Sequence, residues 1–293
     1  MTSGTSGNNK RVELGDLATM KKAGQPITMV TAYDAPTARL VDQAGVDTIL
    51  VGDSLSNVVL GYEDTVPVTL DEMIHHIKAV RRGTKRVFVI GDMPFGSYNG
   101  STDQAVANAT RILKEGRVAA VKLEGGGPMA DKVRAIVEAG VPVCGHLGLT
   151  PQTASMQGGY RVQGRSAKAA RQMVEDAMAL QEAGAFMLVL EMVPKRLAEF
   201  ISAKLQIPVI GIGAGNGCDG QVLVIHDLLG VDPNFHPKFL KRYADLGQVI
   251  HKAVGEYCTE VRARKFPNEE HSFHMPDEIW KALQGELGED SED

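Results

Sequence analysis

A repeat narrows the possible folds of this chain more than any other feature. A short run rich in Val, Ile and Leu, a loop, and a stretch with helical spacing of apolar positions recur about every 20 to 40 residues. The apolar runs fall at 27–33, 48–53, 87–92, 120–124, 141–146, 186–191, 209–213 and 222–226. Each is nearly continuous rather than alternating, so both faces must be covered, as in a parallel sheet flanked by helices. Segments 71–82, 103–114 and 168–183 have the helical pattern, and several such stretches end at glycine (Gly45, Gly116, Gly140, Gly184), which suits a left-handed C-cap before the next strand. Eight units close a (β/α)8 barrel, an α/β fold of TIM type. The alternative, a doubly wound sheet, calls for G-x-G-x-x-G after the first strand, and the chain has none there.

The 293 residues would admit two domains by length, but α/β barrels often reach about 250 residues as one unit. The expected organisation is a flexible tail over 1–10, a single barrel domain over 11–275, and a C-terminal helix with an acidic tail over 276–293. A net charge of -5 without a Lys/Arg stripe argues against a nucleic-acid partner. Cys144, Cys218 and Cys258 have no C-x-x-C spacing, which points to neither disulfides nor zinc. The opening MTSGTSGNNK lacks a secretory apolar run and no stretch is suited to crossing a bilayer, so the expected location is cytoplasmic, without a membrane partner.

In a parallel barrel the active site lies at the C-terminal strand ends, so the polar residues that end each run are the candidates. Asp53 and Asp92, each preceded by glycine on neighbouring strands, could share a hard cation and leave its other positions to water and substrate, as magnesium prefers; the alternative is that each caps a turn. In Lys122-Leu123-Glu124, strand alternation sends Lys122 and Glu124 into the barrel if Leu123 faces the helices. Lys122 could bind substrate and Glu124 complete the metal's surroundings, or Lys122 could form a buried ion pair with a carboxylate. Glu191 ends its run partly desolvated, as a general base requires, though Pro194 just beyond also fits a helix start. His146 could donate to substrate, orient another side chain, or be structural.

Other features stay open. The run Gly211 to Gly215 could cradle an anion or simply turn, His226-Asp227 could be an acid–base pair or merely end the eighth strand, and the long loop through Gly158-Gly159-Tyr160 to Arg165 could be a lid or an ordered loop. His75-His76 occupies adjacent helical positions that face apart, so a shared metal is not expected.

The segments MVTAYDAPTA, ILVGDSLSNVVLGYEDTVPVT, VIGDMPF, AVKLEGG, VPVCGHLGLTPQ, GGYRVQGR, LVLEMVP, IPVIGIGAG, DGQVLVIHD and FPNEEHSF, in that order, resemble the ketopantoate hydroxymethyltransferases, the 3-methyl-2-oxobutanoate hydroxymethyltransferases of pantothenate biosynthesis. The resemblance spans about residues 11 to 275. It implies a barrel of the phosphoenolpyruvate-binding superfamily, a Mg2+ requirement, 5,10-methylenetetrahydrofolate as co-substrate, and a homo-oligomer, often a decamer. Carried over by motif, Asp53, Asp92 and Glu124 would be the metal-site residues. Asp53, Ser54, Asp92 and Lys122 would contact the oxo acid, with His146 as a further candidate, and Glu191 would accept the proton that leaves to give a Mg-stabilised enolate. The chain departs from the family pattern at Gly116-Arg117-Val118, before strand four and away from the rim. The competing readings are a lyase or phosphonomutase of the same superfamily, and a binding protein on an inactive barrel.

Overall fold

The structure, a computed structural model, describes residues 10–287, so most of the tail expected over 1–10 and the acidic end after residue 287 lie outside the described residues. Eight parallel strands, β1 (Ile27–Thr31), β2 (Thr48–Val51), β3 (Phe88–Asp92), β4 (Ala120–Lys122), β5 (Val143–Gly148), β6 (Met187–Glu191), β7 (Val209–Ile212) and β8 (Gly220–Leu223), close into a barrel in chain order, with β8 pairing back onto β1. The helices are α1 (Leu14–Lys22), α2 (Ala35–Gln43), α3 (Leu55–Val58), α4 (Leu70–Gly83), α5 (Thr102–Gly116), α6 (Ala130–Glu138), α7 (Ala167–Glu182), α8 (Lys195–Lys204), α9 (Ile225–Leu228), α10 (Leu246–Arg262) and α11 (Asp277–Leu287). None is long and apolar enough to cross a membrane.

Local chemistry starts the helices where they are needed. Thr69 and Glu72 form a reciprocal capping box at α4, and Ser101 and Ser166 cap α5 and α7 by accepting the N–H of Gln104 and Ala169. Strand alternation then separates two cores. Ile49, Val51, Val89, Val121, Leu123, Leu188 and Leu190 pack outward against the helices. Inside, Ile27, Met29, Leu50, Phe88, Ile90, Ala120, Cys144, Met187, Val189, Ile210 and Val222 fill the barrel, and Leu17 and Met20 of α1 join this inner cluster.

The structure corrects four expectations. β8 spans Gly220–Leu223 rather than 222–226, and His226-Asp227 lies beyond it in the short α9. The reason is register: Gly220 and Gln221 pair with Ile210 and Gly211, which starts the strand early, and Ile225 N is drawn to Thr31 Oγ1. β5 runs through His146 to Gly148, because β6 continues to pair with it up to Glu191. Between β7 and β8 only residues 213–219 intervene, without a helix.

Glycine C-caps hold for Gly45, Gly140 and Gly184, with φ of 89, 87 and 97°, but α5 keeps Gly116 in the helix and takes its left-handed residue at Arg117, φ 53°. Packing decides this one. A Cβ on Gly116 would collide with Ile77 Cγ2, so the glycine lets α5 approach α4 rather than turn the chain.

Candidate active site

Alternation that buries Ile90 inside the barrel also sends Asp92 inward, and on β4 it does the same for Lys122, with Leu123 in the outer core as required. The register pairs Asp92 with Lys122, and the Lys122 ammonium donates to both oxygens of Asp92 at 2.8 and 2.7 Å. Asp92 is 1% exposed.

β2 stops at Val51, and the turn through Gly52 brings Asp53 over the strand ends, where its N–H donates to Asp92 Oδ2 at 3.1 Å. Ser54 Oγ shares a hydrogen bond of 2.8 Å with Tyr33 OH. Glu124 lies two residues past β4, its Oε1 3.6 Å from Lys122 Nζ and 3.2 Å from His146 Nδ1. His146 Nε2 is in turn 3.3 Å from Glu191 Oε2. The imidazole thus stands between two carboxylates, at ion-pair distance from each but off the line of a good hydrogen bond. Glu191 is the more open of the two, its side chain 18% exposed, and β6 faces β2 across the barrel.

Electrostatically the mouth is out of balance. Asp53, Asp92 and Glu124 are buried around one ammonium. Burial alone would strip the proton from Lys122, but Asp92, Glu124 and Asp53 outweigh it and hold the lysine well above its ordinary value. Burial, then Asp92 and Glu124, push Asp53 well above the usual carboxylate range. Burial and Lys122 favour neutral His146, yet Glu124 and Glu191 prevail and raise it to about 9.

Whether these residues suit a divalent cation is tested by what they leave unsatisfied. Among the described residues no three His, Cys, Asp or Glu side chains form a ready-made metal cage. Magnesium needs none, since one or two carboxylates usually hold it with water and substrate in the remaining positions. Asp53 is held well away from its preferred charge, by burial first and then by Asp92 and Glu124, and Glu124 Oε1 is buried without a hydrogen-bond partner. Two hard oxygen donors tied to the same Gln152, with surplus buried negative charge around them, fit that ion, whose own charge would invert the proton balance.

Two participants were missed in the sequence. Gln152, after β5, donates from Nε2 to Asp53 Oδ2 at 2.9 Å, and Tyr98 OH donates to Gln152 Oε1 at 2.6 Å. Both are neutral and lie outside the strands, Tyr98 in a loop and Gln152 in a short 3-10 turn, and strand-end logic does not point to either. Of the open features, the His226 ring packs on Tyr33 at 5.5 Å between centroids, with burial pushing its pKa down, and Asp227 is raised by burial and Asp232 to about 6. Gly213 and Gly215 turn with φ of 62 and 80° against Phe239 and Lys195. His75 and His76 lie side by side on α4, and His76 Nδ1 is tied to Tyr33 O at 2.7 Å. All three cysteines are unpaired.

The chain is similar to known proteins over most of its length. Residues 11–269 match the model of a family described as ketopantoate hydroxymethyltransferase. A 3-methyl-2-oxobutanoate hydroxymethyltransferase of Moorella thermoacetica is 59% identical over 263 residues, 90% of this chain and 98% of that protein. Its namesake in Heliobacterium modesticaldum is 57% identical over 270 residues, 92% of this chain and 98% of the other. Among solved structures, a phosphonopyruvate hydrolase in complex with oxalate and Mg++ superposes with a TM-score of 0.59 at 14% identity, covering 94% of this chain and 95% of that one. A 2,3-dimethylmalate lyase of the PEP mutase/isocitrate lyase superfamily gives 0.57 at 16%, covering 94% and 96%. At such identities the last two speak for the shared barrel alone.

Proposed function

Since the chain belongs to the ketopantoate hydroxymethyltransferase family, we propose that it joins the methylene of 5,10-methylenetetrahydrofolate to C3 of 3-methyl-2-oxobutanoate, with water supplying the hydroxyl, to give 2-dehydropantoate and tetrahydrofolate. The observation that carries this reading is the set of buried acids, Asp53, Asp92 and Glu124, gathered around the single ammonium of Lys122 at one end of the barrel. A carbon acid has to be ionised, and such an environment suits the ionisation of a carbon beside an electron-poor ketone.

Mg2+ is the cofactor in this reading, held by Asp53 and Asp92 with Glu124 completing its surroundings. When bound it supplies Lewis-acid withdrawal of electron density from the keto and carboxylate oxygens of a 2-oxo acid. The chain's own groups do the rest. Lys122 sets a fixed positive charge beside the acids, where the oxo acid's own negative charge has to be met. Ser54, fixed by Tyr33, offers a hydroxyl to the same substrate. Glu191, across the mouth from Asp53 and more open than Glu124, accepts the C3 proton, and His146 between Glu124 and Glu191 orients that base. The burial of Asp92, Lys122 and Glu124 keeps bulk water from screening these charges.

The partners in this reading are small molecules and further copies of the chain, in the cytoplasm. Support for a homo-oligomer comes from α10, where Val249, Val254 and Tyr257 are all more than half exposed, an apolar side that an isolated subunit leaves in water. Light scattering that finds a monomer at working concentration would remove both the oligomer and the decamer implied by resemblance.

Turnover with 3-methyl-2-oxobutanoate and methylenetetrahydrofolate tests the reaction itself. Tetrahydrofolate release that requires added Mg2+ is expected. Release that is undiminished after chelation, or absent at any Mg2+ concentration, would sink the proposal.

A further inference from the structure

Gln152 has no role in the reaction as described, yet it binds more of the mouth together than any other neutral side chain there. Its Nε2 donates both to Asp53 Oδ2 and to Met93 O at 2.9 Å, its Oε1 accepts from Tyr98 OH at 2.6 Å, and its backbone N–H donates to Glu124 Oε2 at 3.1 Å. Tyr98 OH in turn accepts the Glu124 N–H at 3.2 Å. The side chain is 3% exposed, and all of its polar atoms are engaged. The amide orientation is also determined, because a carboxylate and a carbonyl on one side can only accept, while the Tyr98 hydroxyl serves the oxygen.

The chain takes an unusual path to put it there. Gly148 has φ 95°, and a Cβ on it would collide with Glu191 O; the glycine lets the strand cross the end of β6, where Leu149 N donates to Glu191 O at 2.8 Å. The chain then folds back over the mouth into a 3-10 segment, Pro151–Gln157, whose second residue is Gln152.

A neutral donor is the one kind of group that suits this place. A cationic side chain would neutralise Asp53 and compete with a metal ion, and another carboxylate would add repulsion to acids already in excess. An amide fixes one oxygen of Asp53 and leaves its charge intact. Among the described residues nothing donates to Asp53 Oδ1, and Glu124 Oε1 is likewise left without a hydrogen bond.

We infer that Gln152 is the positioning residue of the cation site, holding one oxygen each of Asp53 and Glu124 so that their free oxygens face the mouth, with Tyr98 locking the amide in the orientation that does so. The inference rests on the metal reading given under the proposed function and extends it to residues that touch neither substrate nor ion.

The test is Mn2+ binding to the metal-free, substrate-free enzyme, followed by electron paramagnetic resonance of the unbound ion. In Gln152→Leu, which keeps the bulk and removes the amide, the dissociation constant should rise about 10- to 100-fold. In Tyr98→Phe, which removes one hydroxyl, it should rise about 2- to 10-fold. Excess Mg2+ should restore much of kcat in both while the Mg2+ concentration needed for half activation stays raised, a split that loss of packing alone does not produce. If Gln152→Leu does not fold, Tyr98→Phe decides, and an unchanged constant there overturns the inference. Mn2+ binding that is lost in Asp53→Ala but unchanged in a folded Gln152→Leu overturns the inference and leaves the metal reading standing. A wild-type protein that takes up no Mn2+ overturns both.

Discussion

The two ends of the barrel treat charge in opposite ways. At the floor, beside the strand N-termini, acids have more donors than they need. Asp219 accepts from Lys21 Nζ at 2.5 Å, Ser202 Oγ at 2.9 Å and Val209 N at 2.8 Å. Asp42 gathers the N–H groups of Lys85, Arg86 and Val87, and Asp47 takes both N–H and hydroxyl of Thr28. At the mouth the proportion is reversed, with Asp53, Asp92 and Glu124 sharing Lys122 and leaving Glu124 Oε1 and both His146 nitrogens without aligned partners. Buried charge costs desolvation wherever it lies. A floor that satisfies its acids holds the fold together; on the proposed reading, a mouth that does not is completed by a ligand.

The contrast breaks first, and most severely, if the mouth acids prove dispensable. Asp53→Ala combined with Asp92→Ala should cost roughly 10^4-fold in Mg2+-dependent turnover, the equivalent of several kcal/mol of charge stabilisation. A double variant that still responds to Mg2+ would mean that the surplus charge has another purpose. Next, Glu191→Gln should lower deuterium exchange at C3 of the oxo acid by about 10^3-fold while calorimetry still detects oxo-acid binding. Exchange at the wild-type rate would take the proton-acceptor role away from Glu191.

At the floor the effect should appear in stability instead. Asp219→Ala leaves Lys21 with the Ser202 carbonyl alone and takes the acceptor from Ser202 Oγ and Val209 N, and should cost about 3 kcal/mol, a fall of about 6–12 °C in Tm, with kcat unchanged below the transition. A loss of kcat with an unchanged Tm would erase the division between the ends. In the opposite sense, Asp53→Asn should raise the Tm of the metal-free protein by about 3 °C, because it removes a charge that burial, Asp92 and Glu124 oppose. A lower Tm would show the mouth to be balanced after all.

The smallest effect belongs to Asp227, on the rim after β8. Burial and Asp232 raise its folded pKa from 3.8 to about 6, so the native state holds this proton more tightly than the unfolded chain does. Its contribution to stability therefore declines as pH rises from about 4 through about 6 and stays low above that. Asp227→Asn should melt slightly higher than wild type at pH 7.5, with the difference gone near pH 4; equal melting at both values would contradict the shift.

Much of this was readable from residues alone, for a definite reason. Continuous apolar runs announce strands covered on both faces, and a parallel barrel puts the next polar residue at its active rim, which is how Asp53, Asp92, Lys122, Glu124 and Glu191 come into view together. The alternation that turns Lys122 and Glu124 inward needs only Leu123 between them. Contacts made by long loops resist that reasoning. Gln152 reaches Asp53 across 99 residues of sequence, and no periodicity encodes the meeting. Gly116 looks like a cap, because from sequence a glycine that turns the chain and one that admits a neighbour such as Ile77 are the same letter. His226 reads as part of a strand because VLVIH is apolar and β-branched, and the pairing of Gly220 with Ile210 that starts the strand two residues earlier is a tertiary fact.

α1 has a kinetic consequence. With Leu17 completely buried and Met20 beside it among the inner side chains, the barrel is closed at the end away from the mouth. On the proposed reading, a small reactant seated beside Asp92 would have to arrive before a bulky one covers the mouth, and departures would run in reverse. If the proposed reaction holds, such last-in, first-out traffic would make the oxo acid the leading reactant and the folate the second. Product-inhibition patterns showing random order would mean that the mouth is wider than the side chains around it suggest.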